Sequence, residues 1–185
     1  MKRGKLVVYT GYSGVGKGTI MKVLRELDDS IKLSVSCTTR APRPEDVEGV
    51  SYFFVTQDKF KELINENAFL EYAVFCDNYY GTPEKAVDEM LDKGYNVFLE
   101  IEVQGGLQVM DKRPDCVSIF ITPPSFEELE KRLRGRGTED EETIQKRLAR
   151  ALEEKEYEKY YEHKVLNDEA ERAAREIIEI IHRDE

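Results

Sequence analysis

Apolar residues fall along the chain in two rhythms. Short strand-like runs occur at Leu6 to Tyr9, Leu33 to Val35, Tyr95 to Ile101, Val117 to Ile121 and Lys164 to Leu166. Runs with little polar interruption predict strands buried on both faces, as in a parallel sheet. Between most of them the apolar residues recur at helical spacing. From Asp168 to His182, for example, Ala170, Ala173, Ala174, Ile177, Ile178 and Ile181 share one face. This alternation predicts an α/β fold, a parallel sheet flanked by helices.

Punctuation residues refine the reading. Thr82-Pro83-Glu84 has the order of an N-cap followed by a proline in the first helical position, with Gly94 as the stop. Ser125 with Glu128, and Thr138 with Glu141, have capping-box spacing. The stretch from Cys37 to Tyr80 departs from the alternation. Aromatic, strand-like pieces at Tyr52 to Val55 and Phe69 to Phe75 surround a helix from Asp58 to about Asn67, which predicts a small inserted lobe. Ser125 to Arg150 reads as two helices joined by Arg134-Gly135-Arg136-Gly137, a flexible corner carrying arginines. The acidic segment from Glu139 to Glu162 suits either a solvated helix or a subunit contact.

Composition narrows the function classes. At 185 residues, 40% hydrophobic and 36% charged, the chain supports one sizeable core. No window is apolar enough to span a bilayer, and no signal-peptide pattern opens the chain, so a cytoplasmic protein is expected. Cys37, Cys76 and Cys116 form no paired motif and read as reduced thiols. A net charge of −10 argues against a broad nucleic-acid surface. An anionic ligand must therefore meet a local basic cluster.

Such a cluster follows the first strand. Gly11-Tyr12-Ser13-Gly14-Val15-Gly16-Lys17-Gly18-Thr19 lies between a strand and a helix. That context lets glycine-rich backbone aim N–H groups at a phosphate while the helix N-terminus and Lys17 add positive charge. A plain turn gives no reason for a lysine there, where a cation is disfavoured. Gly18 stands where the strict pattern has a hydroxyl, and Thr19 carries one a residue later. A nucleoside triphosphate is the implied ligand. Arg40 and Arg43, in the proline-stiffened loop Thr38 to Pro44, suit a second phosphate, with Tyr52 and Asn78-Tyr79-Tyr80-Gly81 nearby in sequence. A solvated loop fits those residues equally well.

Several segments together carry a resemblance: Gly11 to Thr19, Ser34 to Pro44, Gly49 to Phe54, Phe69-Leu70-Glu71, Asn78 to Thr82, Glu102-Val103-Gln104-Gly105, and Arg132 to Gly137. In these motifs, and over nearly its whole length, the chain resembles the guanylate kinases. The resemblance implies a P-loop three-layer core (1–36, 82–124 and 151–185), a GMP-binding lobe (37–81) and a helical lid (125–150). It implies ATP and GMP as substrates, acceptance of dGMP as well, and a role in purine nucleotide metabolism.

The resemblance also implies residue roles. ATP would meet Gly11, Tyr12, Ser13, Gly14, Val15, Gly16, Lys17, Gly18, Thr19 and Asn167. The GMP phosphate would meet Arg40, Arg43, Tyr52 and Tyr80, and the guanine Ser36, Glu71 and Thr82. Chemistry supports the last set, because guanine offers N1–H and a 2-amino group along one edge and a carboxylate accepts from both; adenine would leave Glu71 unpaired. By pattern alone Glu71 also suits an exposed strand position. Lys17, Arg132, Arg136 and Arg147 would neutralise charge during transfer, with Mg²⁺ held mainly through phosphates and water and Thr19 as its candidate protein hydroxyl. Glu100 and Glu102, expected on one strand face on the GMP side, suit magnesium-bound water or a guanidinium; guanylate kinases usually carry aspartates there. Pro44-Glu45-Asp46 stands where the family reads proline, glycine, glutamate, so Asp46 is the candidate replacement. Rival readings are a kinase for another nucleoside monophosphate and a binding module of the same fold that has lost catalysis. The oligomeric state is left open.

Overall fold

The computed structural model describes residues 2–135, 137 and 140–183. In chain order the elements are β1 (Leu6–Gly11), α1 (Lys17–Leu27), β2 (Ile31–Leu33), β3 (Cys37–Thr38), β4 (Phe53–Phe54), α2 (Gln57–Asn65), β5 (Phe69–Phe75) and β6 (Asn78–Pro83). They continue with α3 (Glu84–Asp92), β7 (Asn96–Glu100), α4 (Val103–Lys112), β8 (Val117–Thr122), α5 (Phe126–Gly135), α6 (Glu141–Lys155), β9 (His163–Leu166) and α7 (Ala170–His182). No helix among the described residues is long and apolar enough to cross a membrane.

The main sheet has the order β2-β7-β1-β8-β9 and is parallel throughout. Every residue of β1 is buried, on both faces of the pleat, so helices must cover both sides. α4 lies against β1, α3 against β7, and α1 packs on α7. β1 is central, with β7 and β8 on either side. The loops leaving the carboxyl ends of these strands therefore converge, where ligands of parallel sheets bind.

A second sheet, ordered β4-β3-β6-β5, has its own small core of Cys37, Phe60 and Phe69. β5 and β6 form an antiparallel hairpin whose tip, Cys76-Asp77, has positive φ at both residues, as tight hairpin turns require. The ladder shifts register between Phe69 and Glu71. Such a bulge re-aims side chains. Phe69 enters the small core, whereas Leu70 joins the main one.

Several boundaries differ from the sequence reading. The second strand is Ile31–Leu33 rather than Leu33 to Val35, because Ser34 makes a last bond to Phe98 O (2.9 Å) and the chain then leaves for β3. Thr82 and Pro83 close β6, so Pro83 is the N-cap of α3 and the Thr82 hydroxyl serves another partner. The strand after Tyr52 is confined to Phe53–Phe54, and α2 starts at Gln57 with Thr56 accepting from Lys59 N. Arg134 and Gly135 belong to α5, while Arg136 and Thr138 lie outside the described residues. α6 is capped instead by Asp140, which accepts from Thr143 N, and it ends at Lys155 before a short 3-10 turn at Glu158–Tyr160. Ser125 accepts from Glu128 N at 3.1 Å, one half of the expected box. α7 begins at Ala170. Cys37 and Cys116 are packed, and burial pushes both thiols up to about 11; Cys76 is exposed.

Candidate active site

Gly16 is the N-cap of α1 with φ 98, a conformation that disfavours any side chain, and a Cβ there would lie 2.7 Å from Asn167 Nδ2. The helix has no side-chain cap and no acidic residue in its first turn. Its leading N–H groups thus face the loop, an arrangement suited to an anion. Lys17 folds across the loop and donates to Gly11 O (3.0 Å) and Tyr12 O (3.1 Å). Burial lowers its ammonium below the ordinary lysine range, against the pull of Glu154, Glu100 and Glu102.

The loop borders two cavities. The larger cleft, about 730 Å³, is lined by Ser13, Gly14 and Lys17 of the loop, by Ser36, Tyr52, Glu71 and Tyr80, and by Glu100 and Glu102. The smaller, about 490 Å³, is lined by Val15, Gly16, Thr19, Arg132 and Asn167. Thr19 thus lines this second cavity and not the cleft that Glu100 lines. Gly18 carries no hydroxyl toward either. Among the described residues no group of three or more His, Cys, Asp or Glu is placed to hold a metal.

In the large cleft, Glu71 is 7% exposed and accepts the Thr82 hydroxyl at 2.6 Å. The rival reading of Glu71 as an exposed strand residue is thus excluded. Burial raises the Glu71 carboxyl above the ordinary glutamate range, with the bonds from Thr82 opposing. Tyr52 and Tyr80 stand edge to face at 6.0 Å. Arg40 lies over the Tyr52 ring at 5.3 Å and donates to Asp46 at 2.9 Å. The same Asp46 oxygen accepts Arg43 N at 2.7 Å, so Asp46 organises the arginine loop. The Arg43 side chain is exposed.

Glu100 ends β7, but Glu102 has already left the strand and is the N-cap of α4. The expected shared strand face does not exist. Both still line the cleft. Protein crowding raises the Glu100 carboxyl, and Lys17 opposes it. Arg132 donates to Asn167 O at 2.9 Å and Glu128 at 3.4 Å, and Asn167 Nδ2 donates to Val15 O at 2.7 Å. These two residues brace the loop from outside. Arg147 is half-buried on α6 and borders neither cavity.

The sequence reading missed the part of α6 that covers the loop. Glu154, 5% exposed, accepts Ser13 N at 2.8 Å and Arg150 Nε at 3.2 Å. Arg150 also donates to Glu102, and the Tyr12 hydroxyl to Glu158 at 2.8 Å. Acidic residues on a charged helix carry no signal that sets these apart from solvated ones.

A glycine-rich loop between a central parallel strand and an uncapped helix, facing a small second sheet across one cleft, is the architecture of the P-loop phosphotransferases. A sequence model of the guanylate kinase family matches residues 3–184. The guanylate kinase of Clostridioides difficile (strain 630) is 50% identical over 181 residues, 98% of this chain and 88% of that one. That of Streptococcus thermophilus (strain CNRZ 1066) is 51% identical over 181 residues, 97% of this chain and 87% of that one. The crystal structure of guanylate kinase from Anaplasma phagocytophilum covers 99% of this chain and 87% of its own at TM-score 0.74 and 32% identity. The chain belongs to the guanylate kinase family.

Proposed function

We propose that the protein transfers the γ-phosphoryl group of ATP to GMP, giving ADP and GDP, and that it accepts dGMP. One observation carries the reading: Lys17 with its loop and the buried Glu71, which is paired with Thr82, line one and the same cleft. In-line transfer needs a donor phosphate and an acceptor phosphate aligned within one such space.

The attacking oxygen is already an anion, so the residues supply alignment and charge neutralisation rather than a strong base. Lys17 reaches donor phosphate oxygens once its bonds to Gly11 O and Tyr12 O are exchanged. Arg40, Arg43, Tyr52 and Tyr80 hold the acceptor phosphate. Glu71, Thr82 and Ser36 read the guanine edge. Arg132 and Arg147, with Arg136, add positive charge as the lid of residues 125–150 and the lobe of residues 37–81 close on the core, excluding water. Mg²⁺ supplies neutralisation of the donor phosphates when bound. Few protein donors stand here, so a bound Mg²⁺ would be held through phosphates and water, and Glu100 and Glu102 would be the residues to accept from that water. The intact loop with Lys17 weighs against a binding module without catalysis.

The test is ADP formation with ATP and Mg²⁺, offering GMP, dGMP, AMP, CMP and UMP separately. Turnover with GMP and dGMP, lost in Lys17→Ala, supports the reading. Preference for another acceptor, or no turnover by folded protein, overturns it.

A further inference from the structure

Gly105 and Gly106 sit within α4, where glycine weakens a helix. Each has a close neighbour that excludes a side chain. A Cβ on Gly106 would run into the Tyr161 hydroxyl, inside the main core. A Cβ on Gly105 would lie 2.8 Å from Glu71 Oε2, and the three nearest atoms it would meet all belong to the Glu71 carboxyl arm.

The same face of α4 holds the backbone on either side of Glu71. Gln108 accepts Tyr72 N–H at 3.2 Å and donates to Tyr72 C=O at 3.3 Å. Lys112 donates to Phe69 O at 2.9 Å and to the Glu84 carboxylate at 2.8 Å. Residues 105, 108 and 112 recur at helical spacing, so one surface of α4 meets Glu71 and the main chain at Tyr72 and Phe69. The bulge at Leu70 sends that side chain to the main core next to this contact. Arg40, by contrast, is held by Asp46, Tyr52 and Phe54.

We infer that α4 sets the position of the Glu71 carboxylate, with Gly105 and Gln108 as positioning residues for guanine selection. The inference rests on the reading of Glu71 as the group that recognises the base. Accepting from N1–H and the 2-amino group together needs both carboxylate oxygens in place. A methyl group at position 105 pushes on one of them, against the bond that Thr82 makes to the other. Loss of the Gln108 amide frees the β5 edge that carries the carboxylate. Base reading is thereby referenced to the core, independently of the loop that grips the phosphate.

The experiment compares Gly105→Ala, Gln108→Met and Glu71→Gln with the unaltered protein, measuring GMP and IMP dissociation constants, kcat at saturating GMP, KM for ATP, and Tm. IMP retains N1–H and lacks the 2-amino group. Gly105→Ala is expected to weaken GMP about tenfold and shrink the GMP-over-IMP preference, as a misplaced polar partner does. kcat and the ATP KM should hold, and Tm should not fall, since alanine favours the helix. Gln108→Met should show the same split. GMP affinity and preference unchanged in both variants, with GMP weakened in Glu71→Gln, would overturn the inference and leave the reading of Glu71 standing. Glu71→Gln without effect on GMP would overturn both. Equal losses for GMP, IMP and ATP with a lowered Tm would show a general structural role and overturn the inference.

Discussion

The Glu154 carboxylate accepts the Ser13 N–H at 2.8 Å, so a residue of α6 rests on the loop whose amides face an incoming phosphate. Burial raises this carboxyl above the ordinary glutamate range, with the Ser13 bond, Lys17 and Arg150 opposing. A carboxylate and a triphosphate compete for the same positive ground.

Glu154→Gln keeps an acceptor for Ser13 N–H and removes the charge. It is expected to lower the KM for ATP by about threefold to tenfold, the size of a modest electrostatic coupling, with the KM for GMP unchanged. Initial rates at varied ATP check this. An ATP KM equal to or above that of the unaltered protein would refute it.

Lys17→Ala is expected to lower kcat about 10²- to 10³-fold, the usual cost of removing one charge-stabilising group. Its effect on stability runs the other way. Burial lowers the Lys17 ammonium, so the folded state binds fewer protons than the unfolded chain over that window and stability rises with pH through it. Removing the buried amine should leave Tm at neutral pH equal or higher, measurable by calorimetry.

The raised Glu71 carboxyl gives a pH signature. It takes up a proton at higher pH than in the unfolded chain, so stability falls as pH rises between the ordinary and raised values. A protonated Glu71 cannot accept from both guanine donors. The KM for GMP should therefore climb as pH falls, beginning above the ordinary glutamate value of about 4.3. The GMP phosphate itself titrates near about pH 6, so the signal is the difference between the unaltered protein and Glu71→Gln. Parallel profiles for the two would count against it.

Arg134 on α5 grips both carboxylate oxygens of Glu141 on α6, one of them at 2.9 Å, joining the two helices. The bonds from Arg134 and Gln145 hold the Glu141 carboxyl down at about 2. A lowered carboxyl adds stability above its unfolded value, and that stability is lost as pH falls from about 4.3 toward the folded value. The pair is exposed, so the effect is small. The unaltered protein should show slower hydrogen exchange in α5 and α6 than Glu141→Gln at neutral pH, and that difference should shrink on acidification until the two proteins converge at the acid end.

The parallel sheet was legible because Val7, Val8, Phe98 and Ile119 are apolar on both faces of the pleat, a pattern few other elements produce. The loop at Lys17 was legible because its chemistry is local. Glu102 was misplaced because strand periodicity does not announce where a strand stops, and Thr82 because a hydroxyl before proline suits a cap as well as a buried partner. Glu154 reaches the loop at Ser13 from 141 residues away in the chain and Arg150 reaches Glu102 from 48, and nothing local distinguishes them from neighbouring charges on α6. The contact of Gly105 with Glu71 is likewise a product of the fold.

β5 is the outer strand of its sheet, and such strands offer unpaired amides to other chains. Gln108 stands in for the missing neighbour at Tyr72, and Lys112 takes the carbonyl at Phe69. What remains uncovered is the stretch toward the hairpin tip, where Val74 is 59% and Phe75 62% exposed. That remnant is too short to template a long intermolecular ladder. The helix that meets the Glu71 carboxylate thus also occupies part of the edge that an added strand would need.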